Sequence, residues 1–223
     1  MCQLCRDGTL RVWSCGSGQC LEPAVDLEDV ANCCDIVHIE GLDEFNFPPF
    51  EALETEGDDE RVESSTDEVG TMDKLVCVGG ENGFVSLVNL HARKIVYRIK
   101  AAAAVNAVRF HGCSRLMVGC QDGSIAVYQL SRMNDGPLII HDSNSSVQTL
   151  LPLSEGLVAG RGDGACVYYP FLATGEESMT RVVLSGADVD PVTSAVADND
   201  FVYTADRDGT VRKYSIKQFQ LMM

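Results

Sequence analysis

The chain has 223 residues, 45% of them hydrophobic and 22% charged, which is enough to bury a substantial core as one or two domains. Its formal net charge of −16 argues against nucleic acid as a partner, because like charges would repel the phosphates. No apolar run approaches the length of a membrane-spanning helix or of a signal-peptide core, so the ten cysteines are expected to stay reduced in the cytoplasm or nucleus.

The first predicted element lies in CRDGTLRVWS, which begins at Cys5: an Asp7-Gly8 turn leading into a strand that ends at Trp13. Asp-Gly favours the positive φ values of a two-residue hairpin turn, so it is expected to join two antiparallel strands. Residues 1–14 read as the stub of a larger unit. Cys2 and Cys5, with Cys15, Cys20, Cys33 and Cys34 downstream, invite comparison with a zinc cluster. A single C-x-x-C lacks the paired spacing of such sites, and thiols fit small buried strand positions, so no metal or other cofactor is expected.

Residues 15–90 form the next unit, and its middle is set apart by charge. Residues 43–73 carry twelve acidic residues and one basic one, Arg61. Self-repulsion and the Pro48-Pro49 pair make this a poor strand or helix, so about 40–73 reads as a disordered insertion between the first and second strands. KLVCVGG (74–80) then leads into Asn82-Gly83, and FVSLVNL (84–90) leaves it. The glycine-rich VGGENG (78–83) opens a strand rather than a helix whose N-terminal amides would hold phosphate.

Units 91–130, 131–171 and 172–216 repeat the layout around Asp122-Gly123, Asp163-Gly164 and Asp208-Gly209, leaving 217–223 as a tail. AAAAV (101–105) has helix propensity but is too short to stand alone. Arg161-Gly162-Asp163 spells an adhesion tripeptide, better explained as part of an inter-strand turn. His38, His91, His111 and His141 fall in or beside strands without a motif partner, and His141-Asp142 alone reads as an edge pair. With no nucleophile elbow, H-E-x-x-H or P-loop in the chain, an enzyme is not expected.

The five turn dipeptides are separated by 75, 40, 41 and 45 residues, and the long interval is one unit enlarged by the acidic segment. Five residues after each turn glycine stands a bulky side chain: Trp13, Val88, Tyr128, Tyr169 and Tyr214. Two further short apolar runs separate successive hairpins, giving four strands per unit. That arrangement predicts an all-β WD-repeat β-propeller, a partial one of about four four-stranded blades plus the stub. The repeats are degenerate. No Gly-His dipeptide occurs, and the Asp that should follow the Trp is replaced by Ser14, Asn89, Gln129, Pro170 and Ser215.

RDGTLRVWSCGSGQCL, GCQDGSIAVYQL, GRGDGACV, LSGADVDPV and DRDGTVRKYS, in this order, resemble the proteasomal ATPase-associated factor family of WD-repeat proteins. The match runs from the first residues to Ile216 and fails in the acidic insertion; LSGADVDPV followed by RDGTVRKY is its most specific part. The resemblance implies a non-catalytic scaffold that binds ATPase subunits of the proteasome's regulatory particle as an assembly chaperone or negative regulator. It implies docking of a propeller face on the ATPase's carboxy-terminal domain. It also implies further blades before Met1, so the chain is expected to be an N-terminally truncated form. A different WD-repeat adaptor, such as a ubiquitin-ligase substrate receptor, is the alternative.

The charged residues closest to the family-like turns are the candidate contacts: Arg161, Asp163, Asp188, Asp190, Asp206 and Arg207. The pairs Asp7-Gly8, Asn82-Gly83, Asp122-Gly123, Asp163-Gly164 and Asp208-Gly209 are expected to be structural, each Asp bonding its own loop. A monomer is expected.

Overall fold

The computed structural model describes residues 1–42, 47, 70–171, 181–186 and 190–217. Within them, short alternating runs rich in Val, Leu and Ile pair into five antiparallel sheets. The first holds β1 (Cys2–Leu4), β2 (Thr9–Trp13) and β3 (Cys20–Asp26). The second holds β4 (Ala31–His38), β5 (Lys74–Gly80), β6 (Phe84–Asn89) and β7 (Lys94–Lys100). The third holds β8 (Val105–His111), β9 (Arg115–Cys120), β10 (Ile125–Gln129) and β11 (Leu138–Ile140). The fourth holds β12 (Val147–Leu153), β13 (Gly156–Arg161), β14 (Cys166–Pro170) and β15 (Val182–Ser185). The fifth holds β16 (Val192–Ala197), β17 (Phe201–Asp206) and β18 (Val211–Ser215).

The sheets are WD-repeat propeller blades. Consecutive strands are neighbours in every one, and the leading strands β4, β8, β12 and β16 pack side by side as the inner rank. The sheets run one strand out of step with the sequence units 15–90, 91–130, 131–171 and 172–216. The physical reason is that the recurring phrase marks the turn into a third strand, and a fourth strand follows it before the sheet is complete. So β3 joins the N-terminal stretch, making 1–14 part of a three-stranded sheet, and β15 closes the fourth sheet rather than opening the fifth. AAAAV enters β8 as a loop, and a 3-10 turn covers Leu130–Asp135. Most of the acidic segment lies outside the described residues, and in chain order it connects β4 to β5.

In the middle sheets the strands β5, β9 and β13 are buried on both faces, because a neighbouring sheet covers each side. In β5, Val76 and Val78 pack back towards the first sheet while Leu75 and Cys77 pack forward into the third. One device repeats at the junctions. An ideal Cβ on Gly79 would lie 2.4 Å from Val105, one on Gly119 2.5 Å from Val147, and one on Gly160 2.6 Å from Val192. Each glycine sits one residue before the turn and lets the next sheet's inner strand close in over it. The buried thiols follow the same logic of small volume: Cys77, Cys120 and Cys166 are core residues, and burial pushes the Cys166 thiol up to about 12.

On the far side from the turns, His111 at the end of β8 lies 5.6 Å from the Phe171 ring, and Arg115 stacks on that same ring at 4.6 Å. Burial and then the Arg115 charge lower the His111 pKa. The unfolded chain therefore binds a proton that the folded chain refuses, so stability should fall as pH drops through the ordinary histidine range. The expected result is a Tm loss between pH 7.5 and 5.5 that is smaller in His111→Gln; an equal loss in both proteins would remove His111 from the account.

Candidate partner-binding edge

All five recurring turns lie at one edge of the sheets. Ala31 opposes Gly80 and His38 opposes Lys74, so the β4–β5 connection with the acidic segment leaves from the opposite edge. The turns differ from the two-residue type expected from Asp-Gly. In each, the glycine N–H donates three residues back, from Gly8 to Cys5, Gly83 to Gly80, Gly123 to Cys120, Gly164 to Arg161 and Gly209 to Asp206, at 3.1–3.2 Å. Only the glycine takes positive φ, between 80° and 89°. The result is a three-residue loop ending in a left-handed glycine.

The Asp before that glycine accounts for the difference. Its carboxylate accepts the amide two residues on, from Thr9 to Asp7, Ser124 to Asp122, Ala165 to Asp163 and Thr210 to Asp208, at 2.7–3.1 Å. Such a turn holds the Asp itself in ordinary backbone space. Hydroxyls add to it: Thr9 Oγ1 donates to Asp7 at 2.6 Å and Ser124 Oγ to Asp122 at 2.6 Å. Hydrogen bonds from the Thr9 hydroxyl and amide hold Asp7 below the usual carboxylate range, and bonds from the Thr210 amide and hydroxyl do the same for Asp208. Asn82 breaks the pattern: Asp29 reaches over from the β3–β4 loop and accepts the Asn82 amide at 3.0 Å.

Two of the candidate contacts are interior residues. Arg161 is 1% exposed, far inside the sheets, which also removes the adhesion tripeptide as a displayed motif. Its Nη1 donates to the carbonyls of Gly123 at 3.1 Å and Ser145 at 3.0 Å. Its Nη2 donates to Asp142 at 2.6 Å and Tyr169 at 2.7 Å. The Tyr169 hydroxyl donates in turn to Asp142, and Arg181 closes the cluster by pairing with the same carboxylate. Burial pulls the Asp142 pKa upward, yet Arg181, Tyr169 and Arg161 together hold it low; burial pushes the Tyr169 phenol up to about 12. The cluster bolts the third sheet's turn to the β11–β12 loop and the fourth sheet. Asp206 is likewise buried and pairs with Arg212 of β18.

The remaining candidates stay at the edge. Arg207 and Asp208 are exposed at the last turn, where the Arg207 amide donates to Pro191 at 2.9 Å, and Asp163 and Asp190 are half-buried. Asp188 lies outside the described residues. Arg6, in the equivalent place on the first turn, is exposed as well and was not among the sequence candidates, although it repeats Arg207 in the shared phrase. Asp142 and Arg181 were missed because no local motif marks them; the buried network joins residues up to 39 apart in sequence. Among the described residues, no three His, Cys, Asp or Glu side chains gather as a metal site.

The WD domain, G-beta repeat family matches residues 93–129. Proteasomal ATPase-associated factor 1 from Gallus gallus and from Homo sapiens are each 34% identical over 152 residues, covering 67% of this chain and 37% of the relative. The probable Dictyostelium discoideum counterpart is 24% identical over 162 residues. The chain thus spans little more than a third of the length of these relatives. Among solved structures, Saccharomyces cerevisiae Sqt1 aligns with a TM-score of 0.67 at 18% identity over 96% of this chain and 54% of that one. The computationally designed Ika8 protein aligns at 0.64 and 18% identity over 96% and 55%. These likenesses, with the repeated sheets and turns, establish the fold. The chain is a WD-repeat protein, and its relatives by sequence are the proteasomal ATPase-associated factors.

Proposed function

We propose that the chain is a non-catalytic scaffold that binds ATPase subunits of the proteasome through its turn-bearing edge, in the cytoplasm or nucleus and as a monomer. The observation that carries this reading is the 34% identity over 152 residues to proteins named for association with the proteasomal ATPase. The edge supports it physically. Asp carboxylates tied into their own turns make rigid, preorganised loops, while Arg6 and Arg207 project from the tips. The excess negative charge elsewhere on the chain would speed encounter with a basic partner more than it deepens affinity. Contacts are assigned to Arg207, Asp163 and Asp190 and to Arg6; Arg161 and Asp206 hold the blades together behind them.

The test is titration of the purified, folded chain against the carboxy-terminal domain of each proteasomal ATPase subunit at low and moderate salt. Selective binding to one subunit that weakens with salt is the expected outcome. No binding by a folded chain, or capture of ubiquitin-ligase subunits without ATPases from lysate, would contradict it.

A further inference from the structure

We infer that Arg181 is a positioning residue for the proposed docking edge: through Asp142 it fixes the β15–β16 loop that carries Asp190, and with it a strip of contacts running from the fourth sheet to the fifth. The inference rests on the docking reading for its effect on affinity. The hold on the loop stands on geometry alone.

Asp163, Asp190 and Arg207 lie along one run of the edge. Asp163 stands in the β13–β14 turn, and β15 ends beside that turn: Cys166 opposes Ser185, and the Ser185 hydroxyl donates to the Gly164 carbonyl at 3.4 Å. From there the chain crosses to the fifth sheet with Asp190 on the way. Its far end is held where the Arg207 amide donates to the Pro191 carbonyl at 2.9 Å. The contacts therefore share a support of two turns and one connecting loop, and the near end of that loop is only as firm as β15.

β15 is the weak member. It has four residues and pairs with β14 at three positions, with a register shift between Cys166 and Val167. It is the outermost strand of its sheet, so β14 alone pairs with it. Val182 and Leu184 pack on the face turned to the fifth sheet. On the other face Val183 opposes Val167, whose side chain packs with Ile125 and Val127 of the third sheet, yet Val183 is 54% exposed. Apolar contact therefore does little to clamp the strand on that side. Among the described residues, Arg181, one position ahead of the strand, supplies the link by pairing with the Asp142 carboxylate in the β11–β12 loop.

Asp142 makes that link stiff. The same carboxylate accepts from the buried Arg161 and Tyr169. Ser145, from the same loop, accepts the Asp163 amide on its hydroxyl and Arg161 on its carbonyl, both at 3.0 Å. One loop thus references both the β13–β14 turn and β15, so the spacing of Asp163 and Asp190 depends on Arg181. The Arg181 side chain is 44% exposed, and Asp142 keeps Arg161 and Tyr169 without it, so the link can be cut while the fold survives.

The test is Arg181→Ala in the 223-residue chain, read by hydrogen exchange and by affinity for the ATPase carboxy-terminal domain that the unmodified chain selects. Exchange in peptides covering 182–192 is expected to quicken at least about threefold while that of β9 and β10 stays the same, with Tm lowered by no more than about 4 °C. Affinity should fall about threefold to tenfold, because a loosened loop must be ordered on binding. Arg181→Lys, which keeps a charge opposite Asp142, should restore most of both losses. Arg207→Glu should weaken binding and leave exchange over 182–192 as it was, since it alters a contact and not its support. Unchanged exchange in Arg181→Ala would overturn the inference, even with a lower affinity, because Arg181 would then be a contact. Faster exchange with unaltered affinity would overturn it as well. If the unmodified chain binds no ATPase domain, the docking reading fails, and exchange alone decides whether Arg181 holds the loop.

Discussion

Replacing Gly123 by alanine should destabilise the protein by at least about 3 kcal/mol, whereas the same change at Gly209 should cost only about 1 kcal/mol. Both glycines have φ of +89°, so the backbone penalty of a side chain is shared. Their surroundings differ. A Cβ on Gly123 would stand 2.1 Å from the Ser143 carbonyl and 2.8 Å from that of Ser145, in the loop that leads into the fourth sheet. Those are main-chain atoms, and Arg161 grips the Ser145 carbonyl from the other side, so the loop has little freedom to retreat. Gly209 has no described atom within 4 Å of its would-be Cβ. Denaturant unfolding of the two variants checks this. Equal losses would mean that φ alone sets the cost and that the loop yields.

Arg161→Ala should be the most damaging change to a charged residue, at about 3–5 kcal/mol, because it removes one member of a buried ion pair and leaves the rest behind. The Gly123 and Ser145 carbonyls would lose their donor and the Asp142 carboxylate one of its two arginines. Arg161→Lys should recover only part of the loss, since an ammonium lacks the planar fork that reaches four acceptors at once. The double change Arg161→Ala with Asp142→Asn should cost less than the two single changes added together, because each single change already breaks the pair. Additive losses would show that the two residues act separately. A corollary concerns function: Arg161→Ala is a poor probe of partner binding, because any loss of affinity would arrive together with a loss of fold.

The repeating turns and the aromatic after them were legible because the relation is local: the Asp-Gly pair, its acceptor bond and the third strand all lie within ten residues. The sheet count was harder to read. The fourth strand of a blade follows the repeated phrase without a signature of its own, as β3 and β15 show, so units cut by the phrase fall one strand out of step with the sheets. The junction device was visible in VGG, VGC and AGR, where a glycine stands one residue before three of the five turns. Its meaning appears only when Val105, Val147 and Val192 from the next sheet close over it. Burial separates the candidate contacts into interior and edge residues. Arg161 and Asp206 look like surface charges in sequence, yet both occupy the first position of a turn, where the chain is still inside the sheet and faces its neighbour. Arg207, one residue further along, is at the tip.

The proposed docking of a proteasomal ATPase subunit on the turn-bearing edge is tested most directly by charge reversal at the tips. Arg207→Glu combined with Arg6→Glu alters two exposed side chains and should leave Tm within about a degree of the unmodified protein, as surface changes away from packed features usually do. Its affinity for the ATPase carboxy-terminal domain that the unmodified chain selects should fall at least tenfold. An affinity unchanged by the double reversal, measured on folded protein at the same salt, would contradict docking at this edge.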